Sequence, residues 1–229
     1  MNSVKPAAVA FEGWDVRESG PVDAEHTVLL LPGGMCTTVA VEQITGALAR
    51  STIRVVAATL PGFGRTPHPA DLSVENYAAL AGEFAAGVGA DVVAGHSMGG
   101  NVALEMAASR AFDGPVALLS PSFSRQDESK ELAVMNTIGR VPGIGLLAWR
   151  AMLKVMPRAV RSKLPADSAD VLAANLGNND PRFCRAIVRE YSWSSSSPGR
   201  SRTSSATSPA RLRPSVDFVV CRFRPTPFV

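Results

Sequence analysis

Short apolar runs alternate with longer stretches of helical periodicity through the first half of the chain. Runs typical of buried β-strands span residues 27–31, 53–60, 91–94 and 115–119. Two shorter runs, residues 9–11 and 14–16, are typical of an N-terminal hairpin. Between the strands, apolar positions three or four residues apart predict helices, with Thr38 and Ser73 as capping residues. This alternation predicts an α/β fold with a doubly wound, mostly parallel sheet covered on both faces.

Only the helical period continues from residue 122 to residue 191. Trp149 and Leu153 share one helical face, and Arg150 and Lys154 lie opposite. An all-helical segment after the sixth strand is where a lid over a pocket is expected. The alternative is that these apolar stripes pack on the core without covering a pocket.

The composition changes again at residue 192. The segment 192–229 holds ten serines, six arginines, five prolines and one acidic residue. Its net charge is +5, whereas residues 1–191 carry 17 basic and 19 acidic residues and a net charge of −2. The basicity therefore belongs to this tail, and nucleic-acid binding is not expected. We predict a core at 1–121, a helical lid at 122–191 and a disordered tail at 192–229.

Cysteine use and the N-terminus indicate a cytoplasmic protein. Cys36, Cys184 and Cys221 are far apart and form no pair with the spacing of a metal site or a disulfide framework. No signal-peptide pattern is present, and no apolar run approaches the ~20 residues that a membrane span needs. We expect no cofactor, no metal and no membrane span, and the sequence does not predict an oligomeric state.

The chemistry suggested by the sequence lies between residues 91 and 106. An apolar run leads into Gly95-His96-Ser97-Met98-Gly99, and a helical pattern follows. A strand that turns sharply into a helix can present a serine at the sheet edge when small residues flank it two positions away on both sides. Two glycine-rich loops follow earlier strands, Pro32-Gly33-Gly34-Met35 and Pro61-Gly62-Phe63-Gly64.

With these three motifs in this order, residues 9–190 resemble the α/β-hydrolase superfamily. The resemblance implies that Ser97 is the nucleophile and that the backbone N–H of Met98 is one oxyanion donor. The second donor would be Gly34 or Met35. A serine at this position favours hydrolysis of an ester, thioester or related acyl bond in a small, partly apolar substrate. The lyase and cofactor-free oxidative branches of the family use the same scaffold and stay open.

The resemblance also implies a late catalytic acid and a late histidine, which the chain does not supply in the usual way. Its histidines are His26, His68 and His96, and none follows Ser97. His68 follows the second glycine-rich loop on the correct sheet edge and is a candidate base, whereas His96 is expected to pack beside the nucleophile. For the acid, Asp217 and Asp127 are candidates.

Two hypotheses account for the tail that replaces the C-terminal strands and helices of the family. One is a reading-frame shift near codon 190 of a GC-rich gene, and the other is a genuine divergent tail. Loss of the base would impair catalysis, because triad members act as a unit. The alternatives to a hydrolase are an inactive domain that binds a small apolar ligand or partner, and an unstable product with strand 115–119 as an exposed edge.

Overall fold

The computed structural model describes residues 13–48, 52–120, 136–141, 144–161, 166–194 and 218–221. Six strands in the described part form one sheet, in the spatial order β1-β3-β2-β4-β5-β6. They are β1 (Val16–Ser19), β2 (His26–Leu31), β3 (Ile53–Ala58), β4 (Val92–His96), β5 (Val116–Leu119) and β6 (Phe218–Cys221). Every neighbouring pair is parallel except β1 and β3. The mostly parallel sheet predicted from the sequence is confirmed.

The N-terminal strand, which includes part of one half of the hairpin predicted from the sequence, pairs with β3. Strand β1 runs antiparallel to β3, with Val16 opposite Ala58 and Ser19 opposite Val55. Residues 9–11, the other half of that hairpin, lie outside the described residues. The pairing with β3 extends the main sheet by one strand.

Helices connect the strands and cover the sheet. Those with both ends in the described part are α1 (Glu42–Leu48), α2 (Val74–Val88), α3 (Met98–Ser109), α4 (Ile144–Arg161), α5 (Ala166–Gly177) and α6 (Pro181–Ser194), and a short 3-10 helix spans Thr38–Val41. Ser73 caps α2 as predicted, since its hydroxyl accepts from the Asn76 N–H at 3.3 Å. The predicted cap at Thr38 is wrong by one residue. Thr37 caps the 3-10 helix and accepts from the Val39 N–H.

Two hydrophobic clusters form the core of the described part, and successive residues of a strand contribute to different clusters. Leu29 and Leu31 belong to the larger cluster, and Val28 and Leu30 belong to the smaller one. Because side chains of a strand alternate between the two faces, both faces of β2 are buried. This is the burial expected for a doubly wound sheet.

Helices α4, α5 and α6, called the lid helices below, lie in the segment predicted to be all helical. Trp149 and Leu153 of α4 are buried in the larger core cluster, and Arg150 and Lys154 are exposed, as the periodicity predicts. Helix α6 contributes Phe183 and Ile187 to the same cluster. The apolar stripes of α4 and α6 therefore pack on the core. No helix within the described ranges is long and apolar enough to cross a membrane.

Two elements extend beyond the boundary predicted at residue 191. Helix α6 continues to Ser194, and strand β6 lies within the segment predicted to be a disordered tail. Strand β6 pairs in parallel with β5, with Phe218 opposite Val116 and Cys221 opposite Leu119. The exposed edge expected for β5 is therefore not found, because the β-prone residues Phe218-Val219-Val220 cover it.

Candidate active site

Ser97 lies in the sharp turn between β4 and α3. Its backbone dihedrals are φ 50° and ψ −116°, and its hydroxyl makes no capping hydrogen bond to the helix. The turn is held from both sides: the Ser97 N–H donates to the Leu119 carbonyl at 2.9 Å, and the Asn101 N–H donates to the Ser97 carbonyl at 3.1 Å. A positive φ at a residue other than glycine is strained and persists only where its surroundings impose it. The serine is thus presented at the carboxyl edge of the sheet.

Glycine is required on both sides of this serine for steric reasons. A β-carbon on Gly95 would lie 2.1 Å from the Gly99 carbonyl oxygen. A β-carbon on Gly99 would lie 2.4 Å from the carbonyl oxygen of Leu31 and 2.5 Å from that of Pro32. These neighbours are backbone atoms that cannot rotate away. The close approach of β4, α3 and the end of β2 explains the spacing of the two glycines.

Residues 32–37, called the β2 loop, lie against the serine turn. A β-carbon on Gly33 would lie 3.4 Å from Ser97 Cβ, and one on Gly34 would lie 3.0 Å from Met98 Sδ. Gly34 therefore lies close to Met98 in space, and Met35 follows it. These two residues are the candidates for the second oxyanion donor. Backbone N–H groups at such a position can stabilise a developing oxyanion.

The β2 loop turns tightly at Met35. The Cys36 N–H donates to the Gly33 carbonyl at 3.2 Å, and Met35 has φ 61°. This hydrogen bond, with a positive φ at the third residue, is typical of a type II turn, in which glycine or asparagine is favoured at that residue. Methionine adopts the conformation at a cost, so contacts around it must hold the turn in place.

Two asparagines, one in α5 and one just after it, contact the β2 loop. The side-chain amide of Asn179, which lies between α5 and α6, donates to the Met35 carbonyl at 2.8 Å. The Thr37 hydroxyl donates to the side-chain carbonyl of Asn175 in α5. Sequence reasoning missed both asparagines, because nothing in a helical periodicity marks a side chain that bonds to a loop about 140 residues earlier in the chain.

His68 lies in the loop that follows β3, on the same edge of the sheet as Ser97. Its ring stacks on Phe183 of α6, with the ring centroids 4.3 Å apart, and the residue is exposed. Phe183 also packs edge-on against Phe63. The loop after β3 therefore contacts α6 through the ring of Phe183.

The other two histidines occupy opposite edges of the sheet. His26 is the first residue of β2, with Nδ1 4.0 Å from the Asp91 carboxylate, which places it at the amino edge, away from Ser97. His96 is the last residue of β4, and a β-carbon on Gly33 would lie 3.2 Å from its Nδ1. Partial burial lowers the pKa of His96, which favours the neutral imidazole. Asp127 and Asp217, the two candidate acids, lie outside the described residues.

Sequence reasoning also missed a buried carboxyl group on α3, the helix that follows Ser97. Glu105 of α3 keeps 8% of its surface exposed, and burial, reinforced by the negative charge of Glu75 on α2, raises its pKa to about 7. Asn101, one turn earlier, has a buried side-chain oxygen with no hydrogen-bond donor among the described residues. The spacing of four residues put both on one helical face, but it did not reveal their burial. No cluster of three or more metal-ligating side chains occurs in the part that the structure describes.

The sheet, the strained serine at its carboxyl edge and the glycine-rich loop beside it define an α/β-hydrolase fold. The family model described as the alpha/beta hydrolase family matches residues 28–225, and the chain belongs to this family. The match extends through most of the segment after residue 191. No curated protein matches the sequence.

Solved structures share the fold at low sequence identity. A hydrolase from Oleispira antarctica is 14% identical, with a TM-score of 0.65 over 94% of this chain and 88% of that one. The enol-lactonase from Burkholderia xenovorans is 16% identical, with a TM-score of 0.62 over 91% and 86%. The enzyme 1H-3-hydroxy-4-oxoquinoline 2,4-dioxygenase is 14% identical, with a TM-score of 0.67 over 93% and 78%. At these identities the likeness concerns the fold.

Proposed function

We propose that this protein is a serine hydrolase that cleaves an ester, thioester or related acyl bond in a small, partly apolar substrate. The observation that carries the proposal is the conformation of Ser97, which is strained, presented at the carboxyl edge of the sheet and free of a capping bond. A strained serine in the turn between a strand and the helix that follows it is typical of a nucleophile that the fold holds in place. Membership of the alpha/beta hydrolase family supports the same reaction class.

In the proposed reaction, Ser97 Oγ attacks the acyl carbonyl carbon and transfers its proton to a base. The carbonyl oxygen becomes an oxyanion, which the Met98 N–H and a second N–H from Gly34 or Met35 stabilise. The tetrahedral intermediate then collapses: the protonated base gives its proton to the leaving alcohol or thiol, and the acyl group stays on Ser97. Water attacks this acyl-enzyme in the same way, releases the acid and regenerates the serine.

His68 is the histidine that we propose to test as the base. It is on the correct edge of the sheet, in contrast to His26, and it is not constrained by the serine turn, in contrast to His96. Its stacking on Phe183 fixes the ring relative to the lid helices. A base in this position would depend on the contact between His68 and Phe183 of α6.

A serine-directed fluorophosphonate probe and hydrolysis of p-nitrophenyl butyrate test the nucleophile and the base. Labelling of the wild type should disappear in Ser97→Ala. It should persist in Ser109→Ala, because the Ser109 hydroxyl donates to the Glu105 carbonyl within α3. If His68 is the base, His68→Gln should lower the labelling rate by at least about 100-fold. Equal rates in the wild type and His68→Gln would exclude His68, and labelling that survives in Ser97→Ala would contradict the proposed nucleophile.

A second candidate function is a catalytically inactive domain that binds a small apolar ligand or partner. The observation that favours it is that no histidine follows Ser97, and that His68 makes its ring contact with Phe183. Without a base, only the residual rate from binding and the oxyanion donors is expected. Thermal stabilisation by an aryl ester that is recovered unhydrolysed would support this function. Turnover that depends on Ser97 would exclude it.

A further inference from the structure

The contact between the lid helices and the β2 loop concerns the residues that would stabilise the oxyanion. The Asn179 amide nitrogen lies 2.8 Å from the Met35 carbonyl oxygen. The same nitrogen lies 3.1 Å from the Asn175 carbonyl and 3.2 Å from the Leu176 carbonyl, in the last turn of α5. One N–H can therefore bond the loop while the other bonds the end of the helix. This side chain joins α5 to the loop.

A second bond joins the same two elements from the other side of Cys36. The Thr37 hydroxyl donates to the Asn175 side chain, and the Thr37 oxygen also accepts from the Val39 N–H. Thus Met35 is bonded to Asn179 and Thr37 to Asn175, and the two asparagines are four residues apart. Between them, Cys36 closes the turn through its bond to Gly33. The turn is held at three consecutive residues.

The turn needs this support because of the residue at its strained position. Met35 has φ 61°, which costs a methionine free energy that a glycine would not lose. Rotation of the Met35 backbone to a relaxed conformation would redirect the two adjoining peptide groups, which carry the Met35 N–H and the Met35 carbonyl. The Asn179 bond opposes that rotation, because it exists only while the Met35 carbonyl points towards the lid.

We propose that Asn179 is a positioning residue that holds the β2 loop in the conformation required for the second oxyanion donor, so that packing of the lid and assembly of the oxyanion site are coupled. The proposal rests on the proposed hydrolase function for its catalytic consequence, whereas the loop conformation itself can be tested without activity. Asn179 acts through Met35 and does not touch the substrate.

The activity-independent test uses the thiol of Cys36. Burial raises the pKa of Cys36 to about 11, although part of the residue remains accessible, so alkylation at pH 8 should be slow. Asn179→Asp keeps the side-chain shape but removes the donor. Iodoacetamide labelling of the full chain, quantified by peptide mass spectrometry, should be about tenfold faster at Cys36 in Asn179→Asp. Buried Cys184 reports global unfolding and should not change.

Asn178→Asp is the matched control, because Asn178 is the exposed neighbour and the charge change is the same. Thr37→Val and Thr37→Ser form a second pair that leaves the asparagines unchanged: the first loses the bond to Asn175 and the cap on Val39, and the second keeps both. Faster Cys36 alkylation in Asn179→Asp and Thr37→Val, with Asn178→Asp and Thr37→Ser like the wild type, supports the proposal. Equal Cys36 rates in Asn179→Asp and Asn178→Asp overturn it.

Fluorophosphonate kinetics test the catalytic consequence. Asn179→Asp should lower the maximal inactivation rate constant kinact about tenfold and leave the half-saturating probe concentration KI within about twofold, since the defect lies in oxyanion stabilisation rather than in binding. A normal kinact together with fast Cys36 alkylation would overturn the positioning role. If wild-type Ser97 is not labelled at all, the proposed hydrolase function fails, and the Cys36 result still decides whether Asn179 holds the loop.

Discussion

Gly95 and Gly99 approach each other so closely that a β-carbon placed on Gly95 would lie 2.1 Å from the carbonyl oxygen of Gly99. Both glycines belong to the backbone that presents Ser97. No side-chain movement could relieve such a clash, because the oxygen belongs to the backbone. This close approach brings strand β4 and helix α3 together on either side of Ser97. The two glycines are therefore a structural requirement of the turn, independent of the chemistry that the turn supports.

Gly95→Ala should destabilise the fold by more than about 4 kcal/mol, because either the strand or the helix must move. Gly46→Ala is the matched control: Gly46 lies in α1, and a β-carbon there meets nothing within 4 Å. It should stabilise the protein by up to about 1 kcal/mol, since alanine favours the helix. Urea unfolding of both variants makes the comparison, and similar stabilities would contradict the close approach of Gly95 to Gly99.

The strain at Ser97 predicts a difference between two substitutions that both remove the hydroxyl. Ser97→Gly should be more stable than Ser97→Ala by about 1 kcal/mol, because glycine tolerates φ 50° whereas alanine keeps the strain. Neither variant should react with a fluorophosphonate. Chemical denaturation measures the difference, and an alanine variant as stable as the glycine variant would show that the turn is not strained.

The order of elements and the serine turn could be predicted from the sequence because their determinants are local. Buried strands are apolar runs in the sequence. Gly95 and Gly99 indicate the serine turn because they are only four residues apart. Contacts between distant segments could not be predicted this way. The bond from Asn179 to Met35 spans 144 positions, and no periodicity records it.

The segment after residue 191 shows the same limit in another form. Its serine, arginine and proline content indicates poor burial, and this average obscured the four residues Phe218–Cys221, which pair with β5. A strand that joins an existing sheet needs little apolar surface of its own. The reading-frame hypothesis for this segment stays a prediction.

The packing of α6 on the loop after β3 can be tested at Gly62. This residue has φ 89°, and a β-carbon on it would lie 1.9 Å from Phe183 Cζ. Gly62→Ala should therefore cost about 3 kcal/mol, with contributions from backbone strain and from displacement of the ring. Thermal or urea unfolding measures the loss, and His68 should lose its stacking partner in the same variant.

Gly89→Ala separates the two contributions. Gly89 ends α2 with φ 66°, but a β-carbon there meets nothing within 4 Å, so only the strain of about 1 kcal/mol is expected. Phe183→Leu combined with Gly62→Ala should recover part of the loss, because the smaller side chain leaves room for the methyl group. Equal costs at Gly62 and Gly89 would show that α6 does not pack on this loop.

Glu105 predicts an unusual dependence of stability on pH. Burial and the charge of Glu75 raise its pKa to about 7 in the folded protein, from an ordinary value of 4.5. Between these values the folded state binds more protons at this site than the unfolded state does, so its contribution to stability falls as the pH rises from about 4.5 to about 7. Above pH 7 the loss is complete and amounts to up to about 3 kcal/mol.

Glu105→Gln should remove this dependence and make the protein more stable than the wild type at pH 8, with little difference at pH 4.5. Urea unfolding at the two pH values gives the comparison. Glu83→Gln, an exposed position on α2, changes the net charge equally and should leave the dependence unchanged. Glu75→Gln should reduce it in part, because burial remains the larger cause. A wild type and a Glu105→Gln variant with parallel pH profiles would show that the carboxyl group ionises in the folded protein as it does in the unfolded chain.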